Sequence, residues 1–80
     1  MNLKIIDTNE KEHTSWELSG TFELEGKEYE ATIYWDDSNG YSLDAWKEQH
    51  NLIEHLKRLN MTADDFCSKI DEMYEEEMYE

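Results

Sequence analysis

The first half of the chain alternates between apolar and polar residues, a pattern typical of half-buried β-strands. Residues 3–7 predict a short first strand, and residues 13–24 and 28–35 alternate over longer stretches. Glu25-Gly26 lies between the two longer stretches and fits a two-residue hairpin turn, with glycine where φ must be positive. The pattern therefore predicts a β-hairpin at the centre of a sheet.

The register of this hairpin follows from the length of its turn, because a two-residue turn assigns each residue a partner on the other strand. The pairs on one face are all apolar: Trp16 with Trp35, Leu18 with Ile33, Gly20 with Ala31, and Phe22 with Tyr29. On the other face Glu23 lies opposite Glu28, and Glu17 lies opposite Tyr34. Since like charges directly opposite each other destabilise a sheet, the sequence accepts repulsion on the solvent side.

A fourth strand is suggested by Asn39-Gly40, a dipeptide that favours tight hairpin turns, and would cover residues 41–43. A two-residue turn there would place Trp35 opposite Asp44, which is an unfavourable pair. The sequence therefore predicts three or four strands.

A first helix follows the sheet. It begins either near Asp44 or at Asn51, where Asn51-x-x-Glu54 matches a capping box, and ends near Asn60. The expected apolar face consists of Trp46, Leu52, Ile53, Leu56 and Leu59.

A second helix is predicted over residues 62–80. Thr62 fits the N-cap and Asp65 the third helical position of a capping box, while Met61 and Phe66 fit a hydrophobic staple. Its apolar face, at helical spacing, consists of Phe66, Ile70, Met73, Tyr74 and Met78.

The opposite side of this helix carries the acids that we call the helix stripe: Asp64, Asp65, Asp71, Glu72, Glu75, Glu76, Glu77 and Glu80. A helix is stabilised by carboxylates in its first turn, but the last four of these acids oppose the dipole, at roughly 0.3–1 kcal/mol each. Several of them also repel one another across one helical turn. Acids placed where they destabilise their own helix, with no compensating local contact, indicate a functional surface.

Together these elements predict one α+β domain over residues 1–80. An antiparallel sheet of three or four strands, with the hairpin 13–24/28–35 at its centre, carries two helices on one face, in the order β-β-β-(β)-α-α. The expected core joins Trp16, Leu18, Phe22, Ile33 and Trp35 of the sheet to Leu52, Ile53, Leu56, Phe66, Ile70 and Met73 of the helices.

The charge of the chain limits which classes of molecule it can bind. The net charge is −14 over 80 residues, with −7 in residues 1–40, zero in 41–63 and −7 in 64–80. This charge argues strongly against direct binding to DNA, RNA or an anionic membrane and favours a basic protein partner. Three Trp, five Tyr and two Phe indicate a folded domain rather than a disordered acidic tail.

No pattern of catalytic or metal-binding residues emerges. Zinc requires clustered ligands, whereas His50 and His55 lie on different helix faces and Cys67 stands alone, where it is expected to pack beside Phe66. A partial calcium-loop match fails because tryptophans occupy both of its terminal ligand positions. We therefore expect neither an enzyme nor a cofactor.

The cell compartment is predicted from two features. The lone cysteine cannot form an internal disulfide, and no apolar run approaches the ~18 residues of a membrane span or the pattern of a signal sequence. A reducing cytoplasm is expected.

The spacing of the acids resembles that of a nucleic-acid strand. The helix stripe places eight acids in 17 residues, or one per ~3 Å of helix axis, whereas DNA spaces its charges ~3.4 Å apart per strand. Tyr34, Tyr74 and Tyr79 are interleaved with the acids and supply rigid contact area.

In size, charge and segments such as D-E-M-Y-E-E-E-M-Y-E, the chain resembles phage-encoded DNA mimics, which include anti-CRISPR proteins, anti-restriction proteins and uracil-DNA glycosylase inhibitors. The resemblance implies a stoichiometric inhibitor that occupies the basic groove of a nuclease or other nucleic-acid-binding protein of the host. It carries no shared motif, so no residue role is transferred.

The candidate contact residues are Asp64, Asp65, Asp71, Glu72, Glu75, Glu76, Tyr79 and Glu80 on the second helix, with Glu23, Glu28, Glu30, Tyr34, Asp36 and Asp37 on the sheet. The strongest contributors are expected at Glu72, Glu75, Glu76 and Glu80. An immunity protein or antitoxin that neutralises a basic toxin remains an alternative, as does acidity that only keeps the protein soluble. The protein is expected to be a monomer or a small homodimer.

Overall fold

The computed structural model describes residues 2–9 and 16–77. Its sheet is a four-stranded antiparallel meander in the order β1-β2-β3-β4, followed by two helices, which confirms the predicted α+β class. The elements are β1 (Leu3–Thr8), β2 (Trp16–Leu24), β3 (Lys27–Asp36), β4 (Gly40–Asp44), a 3₁₀ turn (Trp46–Glu48), α1 (Gln49–Arg58) and α2 (Ala63–Glu77). The predictions for residues 13–15, Met78, Tyr79 and Glu80 lie outside the described residues.

The central hairpin has the predicted register. All four apolar pairs form as expected, and Glu23 lies opposite Glu28. Glu25 and Gly26 have φ values of 51° and 84°, so the turn takes the left-handed conformation that matches the right-handed twist of the two strands. At the far end of the hairpin the rings of Trp16 and Trp35 stack with their centroids 6.3 Å apart.

Strand β1 extends the apolar face, because Leu3 pairs with Leu24 and Ile5 pairs with Phe22. A β-bulge between Ile5 and Asp7 then brings the β1 backbone very close to Gly20. A Cβ atom at Gly20 would collide with the carbonyl oxygen of Asp7 and lie 2.8 Å from the Cα atom of Thr8. Glycine is therefore required where the bulged strand β1 approaches β2 most closely.

Strand β4 forms, but the sequence-based register for it was wrong. Trp35 pairs with Tyr41 rather than with Asp44, because the turn is longer than two residues and Gly40 pairs with Asp36. The Asp36 carboxylate holds this turn by accepting hydrogen bonds from the backbone N–H groups of Ser38 at 2.8 Å and Asn39 at 2.7 Å. Gly40 has a φ of 73°, and the chain enters β4 in the register that pairs Trp35 with Tyr41 and Ile33 with Leu43.

Helix α1 begins at Gln49, so Asn51 is not its N-cap. The Asn51 side chain instead donates a hydrogen bond to the carboxylate of Glu48 at 2.9 Å. The predicted end is confirmed: Asn60 has a φ of 60°, its N–H binds the carbonyl of Lys57, and the next N–H, that of Met61, binds the carbonyl of Leu56. This is a Schellman motif, which satisfies the last carbonyls of the helix.

The sequence had predicted Trp46 on the apolar face of α1, and this prediction was wrong. It lies in the 3₁₀ turn that precedes the helix and is 54% exposed. Its φ of 50° turns the chain between β4 and α1 and separates it from Leu52 and Leu56, which are fully buried.

Helix α2 begins with the predicted capping box. The hydroxyl of Thr62 accepts a hydrogen bond from the N–H of Asp65, and the Asp65 carboxylate accepts one from the N–H of Thr62, each at 3.1 Å. These reciprocal bonds satisfy two donors at the start of the helix and fix where α2 begins.

Both helices cover the inner sheet face, which consists of Leu3, Ile5, Trp16, Leu18, Phe22, Leu24, Tyr29, Ala31, Ile33, Trp35, Tyr41 and Leu43. At its centre the rings of Phe22 and Phe66 meet edge to face, 6.3 Å apart. Cys67 is buried beside Phe66, as predicted. Four residues of the predicted core are only half-buried: Trp16, Trp35, Ile53 and Met73.

Gly20→Ala is expected to lower the free energy of unfolding by about 1–3 kcal/mol, because the added methyl group needs space that the β1 backbone occupies. Urea denaturation followed by tryptophan fluorescence measures this change. Ser42→Ala, at an exposed position of β4, is the control and should change stability by about 0.5 kcal/mol or less. Equal midpoints for the two variants would contradict the close approach of the β1 backbone to Gly20.

Candidate functional site

The fold divides the acidic residues between two opposed surfaces. Helix α2 buries Phe66, Ile70 and Tyr74 against the inner sheet face, so the exposed acids of its described part lie on the far side of the helix layer. The outer sheet face consists of Lys4, Ile6, Asp7, Glu17, Ser19, Thr21, Glu23, Glu28, Glu30, Thr32, Tyr34, Ser42 and Asp44. Because the core separates the two surfaces, one flat contact cannot cover both.

Two acids of the helix stripe have structural roles within the fold. Asp65 closes the capping box, and the Asp71 carboxylate accepts a hydrogen bond from the hydroxyl of Tyr41 at 2.8 Å, which ties α2 to β4. Asp71 is half-buried. Both residues were predicted as partner contacts, and the structure supplies another reason for their presence.

The remaining described acids of the stripe are exposed on α2: Asp64, Glu72, Glu75 and Glu76. The helix extends as far as Glu77, so Glu75 and Glu76 lie in its last turn, where the described helix has no basic residue. The unfavourable charge–dipole arrangement predicted from the sequence is thus present in the described part of α2.

On the outer sheet face, Glu17, Glu28 and Glu30 are exposed and Glu23 is half-buried. Lys4 lies opposite Glu23, and its Nζ atom is 4.0 Å from the Glu23 carboxylate. This pair offsets part of the repulsion between Glu23 and Glu28, a contribution that the sequence did not reveal because it depends on how β1 docks.

Asp36 and Asp37 lie at the β3–β4 turn. Hydrogen bonds from the side chain and backbone of Asn39, with one from the backbone of Ser38, lower the pKa of Asp36. Asp36 therefore organises the turn, whereas Asp37 is exposed.

Three large apolar side chains are exposed in the described part of the chain: Trp46 at 54%, Ile6 at 46% and Tyr34 at 41%. Ile6 and Tyr34 belong to the outer sheet face. The N–H of Trp46 donates a hydrogen bond to the Asp44 carboxylate at 2.9 Å, which places the Trp46 backbone at the rim of the same face. No pattern in the sequence indicated this exposure, since a tryptophan next to a helix is usually well buried.

The backbone at Trp46 is strained. A φ of 50° lies in the left-handed region, which costs about 1–3 kcal/mol for a residue other than glycine. Glu25 and Asn60 share this conformation, but each lies in a tight turn or helix end that requires it. The segment around Trp46 is held by Gln49, whose side chain accepts from the N–H of Ala45 and donates to the carbonyl of Leu43.

The described residues form no site suited to covalent or metal chemistry. Burial, together with the negative charge of Asp64, raises the pKa of Cys67 to about 12, so its thiol is protonated at neutral pH. His55 is engaged by the hydroxyl of Tyr29 through its Nδ1 atom at 2.8 Å. No group of three or more metal-binding side chains occurs in residues 2–9 and 16–77.

Within the same residues, no helix is both long enough and apolar enough to cross a membrane.

Stability is expected to fall between about pH 9 and pH 12. The pKa of Cys67 rises from 9.0 to about 12 through burial, and that of Tyr41 rises from 10.0 to about 12 through burial and its bond to Asp71. The folded protein holds these protons more tightly than the unfolded chain. Their contribution is therefore complete below about pH 9 and is lost as the pH rises toward 12.

Thermal melts across this pH range measure the effect. Cys67→Ala and Tyr41→Phe should each flatten the alkaline decline, whereas Tyr34→Phe, at an exposed tyrosine, should leave it unchanged. Identical alkaline declines in all three variants and the wild type would show that neither buried group is responsible.

The two acidic surfaces, and the exposed apolar residues on and beside one of them, are what the structure offers for inferring function. Comparison of the chain with protein-family models, with curated proteins and with solved structures finds no match.

Proposed function

We propose that this protein is a stoichiometric inhibitor that mimics the charge of a nucleic acid. It blocks the nucleic-acid-binding groove of a nuclease or another nucleic-acid-binding protein, in the manner of anti-CRISPR or anti-restriction proteins. It acts in the cytoplasm of the host cell, without a cofactor and without catalysis. The observation that carries this proposal is that exposed carboxylates are held on regular, folded elements where they oppose the stability of those elements.

The spacing of the exposed carboxylates supports the proposal. Glu72 and Glu76 are four residues apart on α2, about 6 Å along its axis. Glu28 and Glu30 share one face of β3, about 7 Å apart. Two phosphate steps along one DNA strand cover about 7 Å of axis. Arginine and lysine side chains arranged to bind phosphates can therefore meet carboxylates at a similar spacing on either surface.

The fold also lowers the entropic cost of binding. Carboxylates carried by a helix or a strand are already positioned, so binding orders only the side chains and not the backbone. Arginine can bind each carboxylate through two parallel hydrogen bonds. Because the chain carries a net charge of −14, its association with a basic groove is fast at low salt. Association becomes slower as added salt screens the attraction.

The proposal is tested by retention of bacterial proteins on the immobilised chain, with and without competing duplex DNA or RNA. We expect a basic nucleic-acid-binding protein to be retained, to be displaced by the competitor, and to lose its activity at a 1:1 molar ratio. Raising the salt from 50 to 200 mM should weaken binding by at least about tenfold.

Two outcomes would redirect the proposal. A retained toxin that stays bound in the presence of its nucleic-acid substrate would favour the immunity-protein alternative, because such an inhibitor can bind beside the active site. Retention of no nucleic-acid-binding protein would contradict charge mimicry and favour acidity as a means of remaining soluble.

A further inference from the structure

We propose that the outer sheet face, rather than the helix stripe, is the surface that docks the partner. The partner is a protein with exposed arginine side chains. Tyr34 and Trp46 anchor it, and Glu28 and Glu30 pair with its cations. This inference rests on the proposed function and specifies the contact, which the sequence had expected mainly on α2.

The areas of the two surfaces differ about twofold. Strands of 6, 9, 10 and 5 residues, with ~3.3 Å per residue and ~4.8 Å between strands, give the outer sheet face roughly 500 Å². The exposed side of α2, 15 residues long at 1.5 Å rise and about 10 Å wide, offers roughly 200 Å². The outer sheet face is therefore the larger platform of the two, and a partner that buries the typical area of about 800 Å² would also contact its rim.

The exposed apolar residues also lie on the sheet side. Ile6 and Tyr34 are on the outer sheet face, and the backbone of Trp46 is bonded to Asp44 at its rim, whereas the described part of α2 exposes no large apolar side chain. Tryptophan and tyrosine are the residues that most often dominate binding energy in protein interfaces. A surface that serves only solubility gains nothing from exposing them.

The segment that carries Trp46 is held by hydrogen bonds within the chain. Its backbone is held by the Asp44 carboxylate at 2.9 Å, and the Gln49 side chain fixes the preceding residues with contacts of 2.6 and 3.2 Å. A φ of 50° at an exposed tryptophan is maintained by these bonds. Strained and pre-ordered residues of this kind are concentrated at binding sites, because a positioned anchor loses little freedom on contact.

The centre of the outer sheet face suits a flat contact. Ser19 and Thr32 pair their hydroxyl groups at 2.9 Å, and Thr21 and Ser42 beside them are also small. Glutamates surround this centre, so the face has a small polar middle with a charged border. Thr32 is only 2% exposed, so a partner would contact the side chains that surround this centre rather than the Thr32 hydroxyl.

Charge selects the occupant. A second copy of the chain would also carry −14, and nucleic acid or an anionic membrane would be repelled in the same way. Arginine fits both components of the surface, because its guanidinium stacks on aromatic rings while its N–H groups bind carboxylates. Tyr34 lies on the same strand and the same face as Glu28 and Glu30, so one arginine-bearing segment can use all three.

The test compares two variants with identical charge changes at different places. Glu28→Lys with Glu30→Lys, and Glu72→Lys with Glu76→Lys, each replace two negative charges by two positive ones, so each changes the net charge from −14 to −10. All four residues are exposed, and the folding of both variants is checked by thermal melting. The long-range attraction for a cation is thus matched and only the position differs.

The probe is a nona-arginine peptide, titrated while the amide signals of the protein are followed by NMR. We expect the sheet variant to bind about tenfold more weakly than the wild type and the helix variant no more than about threefold more weakly. Tyr34→Ala and Trp46→Ala, which leave the net charge unchanged, should each weaken binding about fivefold. Nona-lysine should bind the wild type less tightly than nona-arginine, since lysine lacks the planar group that stacks.

Equal losses in the two charge variants, a larger loss in the helix variant, or signal changes confined to α2 would overturn the docking surface. These results are separate from the retention experiment. If a nucleic-acid-binding protein is retained but the peptide contacts only α2, the proposed function is supported and the docking surface is contradicted. If the peptide contacts the sheet but no nucleic-acid-binding protein is retained, the docking surface is supported and the proposed function is contradicted.

Discussion

The structure depends on the burial of two helices against one face of a four-stranded sheet, with Phe22 and Phe66 in edge-to-face contact at its centre. Each large apolar side chain that is fully buried contributes about 1.5–3 kcal/mol, whereas a like-charge pair on a helix costs only a few tenths of a kcal/mol. Nine side chains larger than alanine are fully buried in the described residues. This core can therefore offset extensive surface repulsion and leaves the acids free to serve another purpose.

The same packing determines where the acids can act. Because the inner sheet face is covered, carboxylates remain on the outer sheet face and on the far side of α2, separated by the core. Several acids that a charge count treats alike turn out to differ: Asp36 holds a turn, Asp65 closes a helix cap and Asp71 binds Tyr41. Other acids have no such role in the described structure, among them Glu28, Glu30, Glu72 and Glu76. For these acids, binding to a partner is the explanation that we propose.

The two surfaces are not equivalent as binding sites. The helix stripe is narrow and purely acidic, whereas the outer sheet face combines carboxylates with Tyr34 and Ile6 and has Trp46 at its rim. Charge determines how fast a basic protein arrives, but aromatic contact area usually determines how long it stays. In the described residues only the sheet side combines exposed carboxylates with exposed large apolar side chains.

The sequence by itself determined the elements whose causes are local. The β2–β3 register, the capping box at Thr62 and Asp65, and the end of α1 at Asn60 each depend on residues a few positions apart, and all three were predicted. The tertiary structure decided the rest. The β4 register depends on side-chain bonds from Asp36 that lengthen the turn, and the pairing of Tyr41 with Asp71 joins residues 30 positions apart. The exposure of Trp46 and the separation of the acids onto opposed surfaces also arise only when helices and sheet meet, because periodicity along a chain shows which residues share a face but not what covers it.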